Sequence, residues 1–262
     1  MQSVTSYARI LLRDGVVTAG EYSAEGTVSV EGTIYEAGTF TFLPPVIPTK
    51  LVCVGFNYRA HVNEMAVSVP DEPLLFFKPP SAVVGHEATI TRPPTVDSRM
   101  DYEGELVVVI GRRARNVPMA SALEYVGGLT IGNDVTARQF QVPGSQWTRA
   151  KGYDTFAPIG PAVARTAEWA GRAVETRLNG KLVQSSTTDR LIFDVPTLVA
   201  WISSIMTLEP GDLIMTGTPS GVGAMEDGDV VEVAIEGLGC LRNTVGVTEA
   251  AFVAQEPVGA SD

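Results

Sequence analysis

The sequence predicts a mainly β fold with short helices, of the α+β class. Short apolar or alternating segments, separated by turns rich in glycine and proline, recur along most of the 262 residues. Helical patterns are few and brief, and no βα unit repeats. Hydrophobic residues make up 45% of the chain, which is enough to bury a sizeable core. We therefore expect packed sheets with a few helices.

The chain divides into three predicted parts. Residues 1–45 contain short alternating segments joined by turns of an acidic residue followed by glycine, which is typical of a small β domain. Residues 43–50 then place three prolines in eight positions, and this stiff connector favours a domain boundary. A main domain follows over residues 46–254. The last residues, 255–262, are predicted to be a flexible tail.

The strands and helices of the main domain follow from local patterns. Strands are predicted, in order, at 51–56, 73–80, 104–111, 126–134, 174–186 (a hairpin), 211–217 and 227–237. The hairpin has Asn179-Gly180 at its turn, a pair that two-residue turns prefer. Helices are predicted at 57–66, around 119–125 and at 194–208. In the last helix Asp194 is a suitable N-cap and Pro196 lies in the first turn.

Charge and cysteine content limit the function classes. Lys and Arg number 19 against 30 Asp and Glu, a net charge of −11 that disfavours binding to nucleic acid or to anionic membranes. Cys53 and Cys240 lie far apart in apolar segments, which predicts two buried free thiols in a reducing compartment. No signal-peptide pattern and no apolar run of membrane-spanning length is present. We expect a cytoplasmic protein.

Negative charge is concentrated where the strand at 104–111 begins. On a strand, Glu103 and Glu105 share a face, with Gly104 leaving room between them. Neighbouring carboxylates repel unless a proton or a cation lies between them, and Asp134 at the end of another apolar strand would complete a site. Oxygen ligands select a hard cation, Mg²⁺ first, Mn²⁺ next and Ca²⁺ last. Alternatively, the two glutamates are the solvated face of an edge strand. Asp101 precedes the strand, as a loop residue or an outer neighbour of the site.

A histidine and a glutamate form a second candidate. His61 and Glu64 are three residues apart on the predicted helix, so Glu64 would bond one imidazole nitrogen and leave the other free as a base. Pairs with this spacing are also common on exposed helices without any role. His86, in contrast, is interpreted as a loop residue.

Basic groups and a glycine-rich turn would serve an anionic substrate. Three acids and one dication leave negative charge, so basic groups such as Lys78, Arg138 or Lys151 are needed around the rim. Lys78 ends a strand and Lys151 lies in an aromatic and polar loop; solvated lysines are the alternative. Residues 216–223 form a turn whose N–H groups can hold an anion, for which we expect a carboxylate rather than a nucleotide.

Seven segments together resemble the fumarylacetoacetate hydrolase family in order and approximate spacing. They are VGFNYRAHVNEM, FFKPPSAVVG, DYEGELVVVIG, IGNDVTARQFQ, TRAKGYDTFAPIGP, RLNGKLVQ and IMTGTPSGVG. The resemblance covers about residues 51–246. It implies a mixed β-sandwich or roll, a homodimer, and Mg²⁺ or Mn²⁺ held by Glu103, Glu105 and Asp134.

The resemblance also implies residue roles. His61 and Glu64 would lie on a short helix that closes as a lid over the substrate. Residues that bind or polarise the substrate would be Lys78, Arg138, Gln141, Lys151 (as a catalytic residue) and Thr218. The sequence departs from the family at His86-Glu87, where VVGHEATI replaces the usual GPGDPI and leaves the chemistry of this loop open.

The implied function is hydrolysis of the C–C bond of a 2,4-dioxo acid such as an acylpyruvate or fumarylpyruvate, in the catabolism of aromatic compounds. A 2-oxo acid can chelate the cation through its carboxylate and 2-keto oxygen, which stabilises a metal-bound pyruvate enolate. His61, oriented by Glu64, would take a proton from the attacking water. Decarboxylation of an oxaloacetate-type acid and isomerisation of a 2-hydroxymuconate-type acid use the same enolate and stay open. So does a catalytically silent metal-binding relative, which the intact set of acids, histidine and lysine disfavours.

Overall fold

The computed structural model of the chain describes residues 4–142 and 144–246. The predicted tail and residues 247–254 of the predicted main domain lie outside the described residues. The strands are β1 (Ser6–Leu12), β2 (Val17–Tyr22), β3 (Val28–Val30), β4 (Thr33–Tyr35), β5 (Phe40–Leu43), β6 (Leu51–Gly55), β7 (Leu74–Lys78), β8 (Val83–Val84), β9 (Thr89–Thr91), β10 (Met100–Tyr102), β11 (Gly104–Ile110), β12 (Val126–Asn133), β13 (Thr136–Ala137), β14 (Ala157–Ala164), β15 (Ala173–Leu178), β16 (Lys181–Thr187), β17 (Leu213–Met215), β18 (Gly223–Ala224), β19 (Val230–Ile235) and β20 (Gly239–Gly246). The α-helices are α1 (Arg59–Glu64), α2 (Thr148–Lys151) and α3 (Val195–Ile205), and 3₁₀ turns occur at Pro80–Ala82, Met119–Tyr125, Arg138–Phe140 and Thr188–Arg190.

The strands form three sheets. The large sheet has the order β4-β3-β2-β1-β14-β12-β11-β17-β6-β7, with β5 beside β1 and β8 beside β14. Its pairs are antiparallel except β17 with β6 and β14 with β8. A five-stranded sheet, β16-β15-β19-β20-β9, packs on its central strands, and a three-stranded sheet is ordered β13-β10-β18. The predicted fold class, mainly β with short helices, is confirmed.

The N-terminal strands continue the large sheet. β1 pairs with β14 in antiparallel register, with Ser6 opposite Ala164. β1 also pairs with β2 and β5, so all five strands between residues 4 and 45 belong to the large sheet, and a separate N-terminal β domain stays a prediction. The domain boundary at residues 43–50 stays a prediction.

The site lies at one end of β11, which runs through the middle of the large sheet. Val107 and Val109 point into the core cluster with β6, β14 and β17, while Leu106 and Val108 point into the cluster with α3 and the five-stranded sheet. Every residue of β11 is buried, which explains its continuous apolar run. A strand held on both faces gives the acids at its start a fixed position.

Two of the three predicted helices form α-helices in the structure. α3 begins where predicted, because the Asp194 side chain accepts a hydrogen bond from the backbone N–H of Thr197 at 2.9 Å. α1 carries the predicted His61 and Glu64. Residues 119–125 form a 3₁₀ helix, and Lys151 ends the short helix α2 instead of lying in a loop.

Cys53 is buried and unpaired, as predicted, whereas the prediction of burial is wrong for Cys240, which is partly exposed on β20. Side chains of β20 alternate between a covered and an open face, and Cys240 lies on the open face. Within residues 4–142 and 144–246, each helix is too short or too polar to cross a membrane.

Candidate active site

Three strand ends bring the predicted carboxylates together. Glu103 separates β10 from β11, Glu105 is the second residue of β11, and Asp134 directly follows β12. Antiparallel pairing sets Gly104 opposite Asn133, and the backbone N–H of Asp134 donates to the Glu103 carbonyl at 2.8 Å. As a result, one oxygen from each carboxylate lies within 4.8 Å of the others.

These carboxylates are not a solvated edge. Their exposed fractions are 4% for Glu103, 2% for Glu105 and 1% for Asp134. β11 lies between β12 and β17, so it is an interior strand. The solvated-face alternative is therefore wrong.

The role expected for Gly104 is also wrong. A Cβ there would lie 2.3 Å from Thr176 Oγ1 and 2.9 Å from Val233 Cγ1, on the face opposite to the carboxylates. Gly104 lets β11 approach the five-stranded sheet closely, and alternation alone separates the two glutamates.

Lys151 bridges two of the acids. Its Nζ donates to Glu103 Oε2 at 2.8 Å and to Asp134 Oδ2 at 2.7 Å, and the side chain is almost fully buried. Burial alone would lower the pKa of Lys151, but the charges of Asp134 and Glu103 raise it above its ordinary value. The ammonium therefore stays charged between the two carboxylates.

Lys78 lies behind the acids. Its three protons go to the carbonyl oxygens of Val135, Lys151 and Phe156 at 2.9, 2.7 and 2.7 Å. Its 2.8 Å approach to Asp134 Oδ1 is thus a charge contact, and that oxygen has no hydrogen-bond donor among the described residues. The expectation that Lys78 and Lys151 sit on an exposed rim is wrong, since each is 1% exposed. Both are needed inside, where they offset buried negative charge.

The three acids differ in how far neighbouring positive charges offset their own negative charge. Burial favours the protonated form of Glu103, but Lys151 and Arg138 hold its pKa well below the ordinary value. Burial raises the pKa of Glu105 well above its ordinary value, and the charges of Asp134 and Glu103 raise it further. Glu105 thus has no ion-pair partner among the described residues, and Asp134 Oδ1 has no hydrogen-bond donor there, so the buried all-oxygen set retains acceptor atoms that fit a hard divalent cation.

Arg138 links the site to a buried acid. Its Nε donates to Asp101 Oδ2 at 2.9 Å, its Nη2 to Glu103 Oε1 at 2.5 Å, and its Nη1 to Gln141 Oε1. Asp101 is fully buried in β10, so it is not a loop residue. It lies in the outer layer of the site, one of the two positions expected from the sequence.

The histidine pair has the predicted geometry. His61 is 4% exposed, and its Nδ1 lies 2.9 Å from Glu64 Oε2.

The glycine-rich turn contacts two carboxylates. Glu64 Oε1 accepts the backbone N–H of Gly221 at 2.9 Å, while Gly217 donates to Glu105 Oε2 at 2.8 Å. The glycine-rich turn does hold carboxylates, and they belong to the protein itself. The turn therefore couples the acid cluster to the base.

A small pocket joins these groups. Its polar lining consists of His61, Glu103, Glu105, Asp134, Gln141, Lys151 and Thr218, and its apolar lining of Val54, Gly55, Phe56, Phe76 and Trp147. Lys78 and Arg138 are outside this lining. His86 lies apart in a turn, where its Nδ1 accepts the Arg242 N–H at 3.0 Å.

The model of the fumarylacetoacetate (FAA) hydrolase C-terminal family matches residues 50–246. The chain belongs to this family. Oxaloacetate tautomerase FAHD2B, mitochondrial, from Bos taurus is 43% identical over 218 residues, or 78% of this chain and 69% of that protein. The crystal structure of 2-hydroxyhepta-2,4-diene-1,7-dioate isomerase from Mycobacterium marinum has 38% identity and a TM-score of 0.84, covering 94% of this chain and 100% of the isomerase. That of fumarylpyruvate hydrolase from Pseudomonas aeruginosa, in complex with Mn²⁺ and pyruvate, has 34% identity and a TM-score of 0.73, covering 86% and 97%.

Members of the fumarylacetoacetate hydrolase family are enzymes, and these three carry out a tautomerisation, an isomerisation and a hydrolysis. The chain thus belongs to a family of enzymes, and its structure contains a buried acidic triad.

The aromatic wall of this family member was not anticipated from its sequence. Trp147 lies edge-on to Phe56 and Phe76, with ring centroids 5.7 and 5.2 Å apart, and Phe56 stacks on His61 at 6.0 Å. Phe56 could have been suspected, because it stands between a buried strand and the histidine helix. Trp147 lies outside every regular pattern in the sequence. The three rings line the pocket beside His61.

Gln184 was also missed. It is buried on β16, its Oε1 accepts the Gly104 N–H at 3.0 Å, and its Nε2 donates to Thr218 Oγ1 at 2.9 Å and to the Pro219 carbonyl. A polar residue at an inward position of an alternating strand was the available signal. Gln184 ties the glycine-rich turn to the start of β11.

Proposed function

We propose that the protein is a divalent-metal-dependent hydrolase that cleaves the C3–C4 bond of a 2,4-dioxo acid of the acylpyruvate or fumarylpyruvate type. The observation that carries the proposal is that a single pocket joins three buried carboxylates to an imidazole oriented by a glutamate. The Pseudomonas relative supports it, being a fumarylpyruvate hydrolase in complex with Mn²⁺ and pyruvate.

Glu103, Glu105 and Asp134 would hold the cation, either Mg²⁺ or Mn²⁺. When bound, such a cation supplies Lewis-acid polarisation of a 2-oxo group. The protein's own contribution is to keep these ligands buried and fixed in position at the ends of strands.

His61 is the proposed general base. Because Glu64 accepts the proton on Nδ1, Nε2 is left without one and can take a proton from water. The hydroxide adds to the C4 carbonyl, the C3–C4 bond breaks, and its electron pair passes to C3. The His61 proton then returns to C3, so that one dioxo acid and one water give a carboxylic acid and pyruvate.

The remaining polar groups of the pocket bind the substrate. Lys151 and Gln141 line it beside the acids and offer donors to a carboxylate. Thr218 also lines it, but its hydroxyl donates to the Gly104 carbonyl at 3.0 Å. The aromatic wall excludes bulk water from the other side, which strengthens these interactions. A homodimer and a place in the catabolism of aromatic compounds belong to the same proposal.

Keto–enol tautomerisation of a small 2-oxo acid is the second candidate. The bovine oxaloacetate tautomerase is 43% identical to this chain, against 34% for the hydrolase from Pseudomonas. This reaction needs the same metal and proton transfer at C3 without any attack by water, so the His61 geometry also suits it. Isomerisation, the reaction named for the Mycobacterium protein, is a variant of the same proton transfer.

Purified protein tested with 2,4-dioxo acids and with enol-oxaloacetate separates these candidates. Hydrolysis should give one pyruvate per dioxo acid in the presence of Mg²⁺ or Mn²⁺, and EDTA should abolish it. Glu103→Ala or Asp134→Ala should remove metal-dependent turnover without loss of the folded circular-dichroism spectrum, whereas Glu226→Ala, an exposed acid outside the pocket, should not. Equal activity with and without EDTA would exclude the metal assignment. Rapid ketonisation without any pyruvate release would favour the tautomerase.

A further inference from the structure

A buried aspartate outside the pocket is paired with two arginines. Asp101 is 0% exposed; its Oδ1 accepts from Arg99 Nε at 2.6 Å and its Oδ2 from Arg138 Nε at 2.9 Å. The second contact follows from strand register, since Asp101 lies opposite Thr136 and Arg138 comes two residues later. The Asp101 carboxylate therefore holds the Arg138 guanidinium in a fixed position.

Arg138 transmits this contact to the pocket. Its guanidinium is planar with donors in fixed directions, so the acceptor at Nε sets where both terminal nitrogens point. Nη2 reaches Glu103 Oε1 and Nη1 reaches Gln141 Oε1. Both acceptors line the pocket, whereas Asp101 and Arg138 do not.

We propose that Asp101 is a positioning residue of the metal site, which acts through Arg138 on Glu103 and Gln141. The inference rests on the metal binding in the proposed function. Arg138 then serves mainly to fix a ligand, because each of its guanidinium nitrogens already has an acceptor in the protein. Removing groups that orient metal ligands commonly lowers metal affinity or activity by about 10–100-fold.

The Arg138→Gln variant gives opposite results under the two explanations of this contact. If Arg138 acted only as a charge near Glu103, its removal would tighten Mg²⁺ binding. If it positions Glu103, its removal weakens binding. We expect the Kd for Mg²⁺ alone, from isothermal titration, to rise about tenfold.

Asp101→Asn tests whether the aspartate acts through the arginine. We expect a rise in the Mg²⁺ Kd of about tenfold, and no further rise when it is added to Arg138→Gln, because both changes disturb the same contact. Turnover at limiting Mg²⁺ should fall and recover at saturating Mg²⁺, which a general loss of structure would not produce.

Asp212→Asn is the matched control. Asp212 is also 0% exposed and holds Lys50 and Thr49, but it is not in the pocket lining. Its replacement should lower the urea midpoint of unfolding and leave the Mg²⁺ Kd unchanged. A comparable urea loss in Asp101→Asn together with an unchanged Kd would mean that Asp101 has a structural role alone.

Three outcomes with the variants overturn the inference. They are an unchanged or lower Mg²⁺ Kd in Arg138→Gln, an unchanged Kd in Asp101→Asn, and additive effects in the double variant. If Asp101→Asn does not fold, Arg138→Gln still decides, because that side chain is partly exposed and outside the core. Wild-type protein that binds no Mg²⁺ overturns this inference and the proposed function together, whereas the variant outcomes leave the proposed function intact.

Discussion

At the scale of single residues, the site depends on carboxylates with the same chemistry and different neighbours. Glu103 is held by two cations, Glu64 by an imidazole and a backbone N–H, and Glu105 by a backbone N–H beside two other acids. Because of these neighbours, one carboxylate stays ionised, one orients a base, and one lacks a positive partner. The roles proposed for the acids follow from this difference.

His61→Ala should distinguish water activation from other uses of the pair. Hydrolysis should fall by about 10²–10⁴-fold, the usual contribution of a general base, while decarboxylation of oxaloacetate should fall much less because CO₂ leaves without attack by water. Rates of pyruvate release from a dioxo acid and from oxaloacetate, measured at saturating Mg²⁺, provide the comparison. Equal losses in both would instead assign the pair to lid closure or proton delivery.

At the scale of elements, the turn at residues 216–223 connects the acid cluster to α1. Gly221 has φ +101°, and a Cβ there would lie 2.1 Å from the Val183 carbonyl oxygen. Its N–H also holds Glu64. A substitution at this position must therefore move the turn away from β16 and loosen the support of His61.

Gly221→Ala should lower both stability and activity, whereas Gly228→Ala should lower stability alone. Gly228 has a similar φ of +91° but open space around its Cβ position, so alanine there adds only the strain of the left-handed conformation, about 1–2 kcal/mol. Urea unfolding and kcat of both variants measure the difference. A Gly221→Ala enzyme with wild-type kcat would show that the contact of the turn with Glu64 is dispensable.

Elements with a local chemical signal could be predicted from the sequence. The Asn179-Gly180 turn and the Asp194 cap occur where expected, because a few neighbouring residues determine each of them. β14 was missed because Pro158 and Pro161 argue against a central strand, yet tertiary contacts place it between β1 and β12.

The grouping of the three acids was predictable from the sequence, but the depth at which they are buried was not. Strand parity and the family resemblance together indicated Glu103 and Glu105, and the structure brings both to Asp134. Parity cannot tell which face of a strand meets another sheet, so the packing of Gly104 against Thr176 was not foreseen. Burial of Lys78 depends on carbonyl oxygens from three other segments, and no single segment of sequence contains that information.

At the scale of the whole molecule, the burial of Glu105 beside two other acids lowers the stability of the metal-free fold. Burial and two neighbouring acids raise the pKa of Glu105 well above its ordinary value of 4.5, so the folded metal-free protein holds a proton that the unfolded chain releases. Between those two pKa values the folded state binds more protons, and this group's contribution to stability falls as pH rises. A bound cation would replace the proton.

Glu105→Gln should therefore be more stable than the wild type in EDTA at pH 8. The advantage should shrink towards pH 5, which is close to the ordinary pKa of 4.5, because the unfolded wild-type chain then also keeps part of its proton. Adding Mg²⁺ at about 100 times its Kd should stabilise the wild type by about 2.7 kcal/mol and the variant by much less, because only the wild type has the full ligand set. Urea unfolding at both pH values, with EDTA and with Mg²⁺, measures each effect. Asp212→Asn, in which the lost acid has a lowered pKa and is paired with Lys50, should be less stable at pH 8 and gain as much from Mg²⁺ as the wild type. A Glu105→Gln protein that is less stable than the wild type in EDTA at pH 8 would show that Glu105 does not destabilise the metal-free fold. A variant that gains as much stability from Mg²⁺ as the wild type would show that Glu105 is not a ligand.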